Sequence, residues 1–267
     1  MISLLPVWKK GDIKEYTIEY STNVYSSNKN LESSKTTKSI TIEVSKISNN
    51  FIALIWRYND VKYSDSIDQE NPFKNLVNTI AKGLIVKYTI SKNGSIKSIS
   101  NYSEISERIN AKVDSILEIV RNNENTDKSK FEMLKFQLFM MFSTKKQIDI
   151  IVLSDIFKFH QLYGSSYTLN KTTSIVDMFS DPTFEKPSDS LKVKLNSIDT
   201  LNKLYRLEGE LISLYQEQQN GKLVIGRKSN IYYEFKYPEN WILQSEITTN
   251  SPGSLRMNEF YKIKIKE

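Results

Sequence analysis

The sequence has no cysteine and one histidine among its 267 residues. Without cysteine, the chain has no disulfides, no thiol nucleophile and no cysteine-based metal site. A hydroxyl nucleophile with an imidazole base would have to use His160, and no Gly-x-Ser-x-Gly turn surrounds any serine. His160 falls in the last turn of a predicted helix, where the helix dipole favours its charged form. We therefore favour a structural role for His160.

Glycine and proline are scarce, with 8 and 6 residues, so Asn, Asp and Ser must form many of the turns. No apolar run approaches the roughly 20 residues that span a membrane. Residues 221–229, GKLVIGRKS, resemble a phosphate-binding loop, but Arg227 separates the second glycine from Lys228, and LVI indicates a strand. Because no catalytic, metal or nucleotide motif is complete, we predict no enzymatic activity and no cofactor.

Basic residues outnumber acidic residues by 37 to 31, which gives a net charge of +6. Charges of both signs are interspersed, so we expect a mixed solvated surface and no nucleic-acid partner. Lysines alternate with apolar residues at Lys192 and Lys194 and again at Lys262, Lys264 and Lys266. Each pattern predicts a strand with one basic face, and the second could be an edge strand protected by its charges.

Period-two alternation of apolar and polar residues predicts strands before residue 101. They form a meander of residues 12–20, 37–47 and 51–58, with a polar connection at residues 23–35. Asn71-Pro72 predicts the start of a short helix that runs to Ile80. Asn93-Gly94 predicts a hairpin with a type I′ turn, in which both turn residues have positive φ.

A helical block follows, from about Asn101 to Tyr163. The first helix has an apolar stripe from Ile105 to Val120, and Asn101 or Ser103 can cap it. The middle helix contains residues 131–142, FEMLKFQLFMMF, the most apolar segment of the chain, with apolar side chains on all its sides. After Gly164 the period returns to two, which predicts further strands to the C-terminus.

These patterns predict an α+β fold, a large curved antiparallel β-sheet (open or half-barrel) with a three-helix insertion packed on one face. We expect residues 1–267 to form a single domain. Within it, residues 1–100 form N-terminal strands and a short helix, residues 101–164 the helical insertion, and residues 165–267 the C-terminal antiparallel strands.

Two short motifs resemble the mature region of uncharacterised secreted proteins of Bacteroidetes-type bacteria. One is the opening Trp-Lys-Lys-Gly-Asp at residues 8–12, which is followed by a strand. The other runs from residues 83–88, GLIVKY, to Asn93-Gly94 and the helix after Asn101. The resemblance spans most of the chain and implies export to the periplasm or cell surface after removal of a signal peptide. It brings no catalytic residues.

The first seven residues, MISLLPV, are too short for a signal peptide. We therefore expect a periplasmic, cell-surface or secreted protein if a native leader has been replaced by Met1, and a cytoplasmic protein otherwise. No transmembrane segment is predicted.

Our first hypothesis is a non-enzymatic envelope protein that binds a lipid or another apolar ligand between sheet and helices, by analogy of fold with periplasmic lipoprotein carriers. The ligand-binding residues would be Met133, Phe136, Leu138, Met140 and Met141, whose side chains are apolar and adaptable. The plainer interpretation buries this surplus apolar face between the sheet and the neighbouring helices. The alternative function is an interaction protein that presents a sheet edge or helical face to an envelope partner. A hydrolase that acts with carboxylates is the least favoured hypothesis.

Overall fold

The structure, a computed structural model, describes residues 1–26, 29–65, 79–122, 128–142, 145–176, 190–216, 223–251 and 255–266. Within these ranges, three helices lie between the strands of the N-terminal and C-terminal halves. The elements are β1 (Ile2–Ser3), β2 (Ile13–Ser26), β3 (Lys29–Ile47), β4 (Phe51–Asp65), β5 (Ile85–Ser91), β6 (Ile96–Ile99), α1 (Tyr102–Arg121), α2 (Lys128–Phe142), α3 (Lys145–His160), β7 (Ser166–Tyr167), β8 (Thr172–Val176), β9 (Ser190–Asp199), β10 (Leu204–Gln216), β11 (Leu223–Lys236), β12 (Trp241–Ser251) and β13 (Leu255–Ile265).

One 11-stranded antiparallel sheet dominates the fold, in the order β6-β5-β4-β3-β2-β13-β12-β11-β10-β9-β8. Each half of the chain forms a meander, and the two meanders join where β2 pairs with β13. Within the described ranges the edge strands β6 and β8 do not pair with each other, so the sheet is open. The predicted α+β class and large antiparallel sheet are confirmed.

The helices cover one side of this sheet, which we term the inner face. Phe159 of α3 contacts Tyr16 and Trp56 edge-on, with ring centroids 5.5 Å and 5.7 Å apart. Residues opposite each other in an antiparallel pair share a face. The register therefore continues the inner face through the cross-strand partners Ile18, Ile263 and Ser245.

An aromatic core surrounds the C-terminal end of α3. Trp8 stacks on Trp241 at 4.2 Å, and the Tyr163 hydroxyl donates a hydrogen bond to the carbonyl of Asn240 at 2.6 Å. The N-terminal segment is bound here too, because the backbone N–H of Leu4 donates to Ser165 O at 3.0 Å. This end of the helical block is therefore packed solidly against the sheet.

The start of α1 is attached to strand β5 by Asn101. Its side-chain oxygen accepts the backbone N–H of Lys87 at 2.8 Å, and its amide donates to Ile85 O at 2.9 Å. It makes no side-chain cap bond to the helix, although it was predicted as a cap. The predicted apolar stripe of α1 is confirmed, since Ile105 and Val120 both lie in the core.

One prediction for the N-terminal strands needed correction. The polar connection expected at residues 23–35 is strand at both ends, because β2 continues to Ser26 and β3 begins at Lys29. Polar residues occupy both faces here, as at Ser33 and Ser34, which removes the alternation although the backbone still pairs. The strands predicted after Gly164 include β11, which runs without a break from Leu223 to Lys236. The predicted short helix at residues 71–80 lies almost wholly outside the described residues.

The hairpin at Asn93-Gly94 is confirmed, but its predicted type I′ turn is wrong. Gly94 has φ 94°, whereas Asn93 is not among the positive-φ residues. The N–H of Gly94 donates to Ser91 O at 2.9 Å, and that of Ser91 to Ser95 O at 2.8 Å. This pattern is typical of a type I turn followed by a left-handed glycine.

Strand β13, which carries the second lysine row, is not an edge strand. It lies in the middle of the sheet between β2 and β12. Lys262 forms an ion pair with Glu246 of the neighbouring strand at 2.7 Å. The lysines lie on the outer face, opposite to the apolar side chains of Tyr261 and Ile263, and balance charges across strands.

Candidate functional site

Helix α2 carries the predicted ligand-binding residues, and the structure separates them. Leu138 is buried in the core at 1% exposure, whereas Met133, Phe136 and Met140 are 58%, 64% and 48% exposed. The Met141 side chain lies outside the described residues. The interpretation that the whole surplus apolar face is buried is therefore wrong, because only one side of α2 reaches the core.

The outer side of α2 is a continuous apolar surface. Met133, Phe136 and Met140 are spaced by three and four residues, which places them on one stripe of a helix. Phe139, also 64% exposed, lies beside that stripe. We term these four residues the α2 apolar face. Exposed apolar groups of this size mark interaction or ligand sites more often than isolated surface residues do.

The inner face of the sheet becomes more open away from the aromatic core. Along β2, Tyr16 and Ile18 are buried, whereas Tyr20, Thr22 and Val24 on the same face are half-buried. Their partners on β3 and β13 follow the same gradient. The inner face thus changes from a filled apolar core to a partly exposed surface of aromatic and polar side chains.

A charged pair lies at this transition. The ammonium of Lys38 on β3 is 2.7 Å from Oδ2 of Asp155 on α3, and Asp155 is buried. The Tyr58 hydroxyl donates to the same carboxylate oxygen at 3.2 Å. One cation and one hydroxyl donor therefore satisfy this buried anion.

One turn further along α3, Lys158 also points to the inner face. Its Nζ lies 4.4 Å from the ring centroid of Tyr261 and 5.9 Å from that of Tyr20. Within the described part of the chain, no carboxylate lies at ion-pair distance from this ammonium. Burial lowers the pKa of Lys158, and the charge of Asp155 partly opposes the shift. The geometry is that of a desolvated cation over aromatic rings.

The aromatic ring nearest to Lys158 carries a hydrogen-bond donor, the Tyr261 hydroxyl. The Tyr261 hydroxyl is buried and has no hydrogen-bond partner among the described residues. Burial raises its pKa well above the ordinary value, so the hydroxyl stays protonated. The Tyr20 hydroxyl is already used, since it donates to Glu259, which also lies 3.8 Å from Arg227.

His160 belongs to the aromatic core. Its Nε2 is 2.9 Å from the Tyr88 hydroxyl, and its ring lies edge-on to Trp8. Burial lowers the pKa of His160 to about 3. The histidine is therefore neutral at physiological pH. The expectation of a charged form is wrong, because desolvation outweighs the helix dipole.

Sequence reasoning missed Lys38, Asp155 and Lys158. Asp155 and Lys158 are spaced by three residues on α3, which places them on one helix side, but no sequence signal indicates that this side meets β3 and β13. Within the described ranges, no cluster of three or more acidic or histidine side chains could hold a metal ion. None of the helices in those ranges is long and apolar enough to span a bilayer.

Comparison with known proteins shows similarity of fold only. Neither a scan of protein-family models nor a search of curated proteins gave a match. Lipovitellin, from a structure concerned with lipid–protein interactions, aligns over 97% of this chain with a TM-score of 0.53 and 10% identity. The chain spans 25% of the lipovitellin chain.

Two further solved structures align less well. A Bacteroides fragilis protein described as exported, with a YmcC-like fold, covers 100% of both chains at 8% identity and a TM-score of 0.21. Salmonella typhi OmpF in complex with daunomycin covers 96% of this chain and 98% of its own, at 6% identity and a TM-score of 0.26. Scores this low carry no argument about fold or function.

Proposed function

We propose that this protein is a non-enzymatic envelope protein that binds the acyl chain of a lipid beside its helices and the open part of its inner face. The observation that carries this proposal is the α2 apolar face, whose four large side chains are exposed while Leu138 on the opposite side is in the core. The similarity of fold to lipovitellin, a protein solved for its lipid–protein interactions, supports the proposal.

The energetics favour an apolar occupant of this surface. Full burial of a Phe or Met side chain contributes roughly 1.5–3 kcal/mol, so partial burial of four such side chains would contribute several kcal/mol. Methionine adapts its shape to irregular ligands, which suits a flexible hydrocarbon chain. The partly exposed inner face around Tyr20 and Val24 offers further contact area next to the helices.

Ligand binding can be tested with the full chain. Lipid extraction and native mass spectrometry of the purified protein should detect a copurified lipid, and the protein should take up a fluorescent fatty acid. The double variant Met133→Ser/Phe136→Ser should reduce uptake several-fold. Leu201→Ser is the matched control, because Leu201 is 89% exposed in the turn between β9 and β10 and lies outside the proposed site.

Equal uptake by the double variant and the Leu201→Ser control would contradict a role of the α2 apolar face in lipid binding. Absence of both copurified lipid and uptake in the wild-type protein would refute lipid binding altogether.

A second candidate function is an interaction protein that uses the α2 apolar face to contact another envelope protein. Phe136 and Phe139 are both 64% exposed, and exposed aromatic side chains are typical anchors of protein interfaces. A pull-down from envelope extract separates the two functions. Stoichiometric capture of one protein by the wild type, lost in Phe136→Ser, with no lipid uptake by either, would favour this second function.

A further inference from the structure

Five charged side chains lie close to Tyr20 and Tyr261 on the inner face, and within the described residues Lys158 is the one of them without an ion pair. Lys38 forms its ion pair with Asp155, and Glu259 is held by Tyr20 and lies 3.8 Å from Arg227. Lys158 has no ion pair in this group: its ammonium lies 4.4 Å from the ring centroid of Tyr261, and the charges of Asp155 and Glu259 act on it from beyond ion-pair distance. These five charged side chains therefore carry one excess positive charge, on the half-buried Lys158.

A half-buried ammonium without an ion pair is costly, because it loses part of its hydration without gaining an ion partner. Contact with an aromatic ring recovers only part of that loss. The depressed pKa of Lys158 reflects the same loss of hydration. An oxyanion placed against Nζ would remove the cost, and an ion pair is stronger here than in water.

The ring under the ammonium carries a second donor. The Tyr261 ring lies directly under the Lys158 ammonium, and its buried hydroxyl has no partner among the described residues. A carboxylate offers two oxygens, which suits one ammonium and one phenol. Its single negative charge also matches the single excess positive charge.

We propose that Lys158 and Tyr261 form a binding site for the carboxylate of a fatty acid, with the acyl chain extending along the open inner face towards the helices. This inference rests on the proposed function, and it deepens that function by assigning the polar end of the ligand. The half-buried side chains of Thr22 and Val24 line the inner face beyond this site.

The test compares two ligands that have the same hydrocarbon chain but different polar groups. Dodecanoic acid and dodecanol are titrated against the full-length protein near neutral pH, below their solubility limits, by isothermal calorimetry. The wild type should bind the acid about tenfold more tightly than the alcohol. Lys158→Met should lose this preference and leave the affinity for dodecanol unchanged. Lys158→Arg, which keeps the charge, should retain most of the preference.

Two controls define the site. Lys264→Met removes a lysine from the outer face of β13, on the opposite side of the sheet, and should bind like the wild type. Acetate, which has a carboxylate without a chain, should fail to displace dodecanoic acid. Displacement by acetate at the concentration of dodecanoic acid would show a free-anion site and overturn the assignment to a fatty acid. Thermal unfolding of each variant verifies that it is folded.

The outcomes separate this inference from the proposed function. If the wild type binds acid and alcohol equally, or if Lys158→Met keeps the preference, the carboxylate site is overturned while lipid binding stands. If the wild type binds neither ligand, both the site and the proposed function are overturned.

Discussion

Acidification should destabilise this protein through His160, the only histidine in the chain. The imidazole is 2% exposed and lies among the rings of Trp8, Tyr88 and Phe159, with its Nε2 at 2.9 Å from the Tyr88 hydroxyl. Burial lowers its pKa from the ordinary 6.5 to about 3. The folded state therefore binds a proton at His160 much more weakly than the unfolded chain does.

The direction and size of the effect follow from this difference in pKa. Above about pH 6.5 neither state is protonated at His160, and the full free energy of unfolding is present. As the pH falls below 6.5 the unfolded state gains a proton, while the folded state remains neutral until the pH approaches 3. The loss between about pH 7.5 and about pH 5 is roughly 2 kcal/mol, and the limit near pH 3 is roughly 5 kcal/mol.

Urea unfolding of the wild type and of His160→Gln at about pH 7.5 and about pH 5 measures this loss. The wild type should lose roughly 2 kcal/mol at the lower pH, whereas the variant, which has no histidine, should show almost no loss. The lower pH value is kept at about 5 because most carboxylates titrate below it. A wild-type free energy of unfolding that is equal at both pH values, or an equal loss in the variant, would refute the buried neutral histidine.

Two further predictions use matched pairs of variants. Leu138→Asp should unfold the protein, because it places an unpaired charge at a position that is 1% exposed, whereas Phe136→Asp, at a position that is 64% exposed, should remain folded. Circular dichroism distinguishes the two outcomes. A folded Leu138→Asp variant would contradict the burial of Leu138. Gly94→Ala should cost about 1–3 kcal/mol more than Gly11→Ala in urea unfolding. Both glycines have positive φ, but a Cβ at Gly94 would lie 2.4 Å from Cβ of Tyr163, while a Cβ at Gly11 meets nothing within 4 Å. Equal losses in the free energy of unfolding for the two variants would show that the close approach of Tyr163 to Gly94 can be relieved without cost.

The candidate site was only partly predictable. The sequence pointed to α2 as the apolar helix, since Met133, Phe136 and Met140 stand out in the most apolar segment. Which of its sides faces solvent depends on the elements packed against it, and a helix that is apolar on all sides contains no signal for that choice. Lys158 was missed for a related reason, because a lysine on a helix is ordinarily solvated and only β13 makes this one unusual.

The sequence by itself determined the features that depend on near neighbours in the chain. Alternation predicted strands in both halves, the stripe from Ile105 to Val120 predicted the buried side of α1, and Asn93-Gly94 predicted a hairpin. These patterns work because a backbone conformation places residues two, three or four apart on a common side.

Tertiary structure alone decided what depends on residues distant in sequence. It joined the two meanders through β2 and β13, extended β2 and β3 through polar segments, and brought Asp155 beside Lys38. It also made His160 neutral, because the rings of Tyr88 and Trp8 reach it from β5 and the N-terminal segment. Strand pairing, desolvation and ion pairing each depend on the group opposite, which local sequence does not specify.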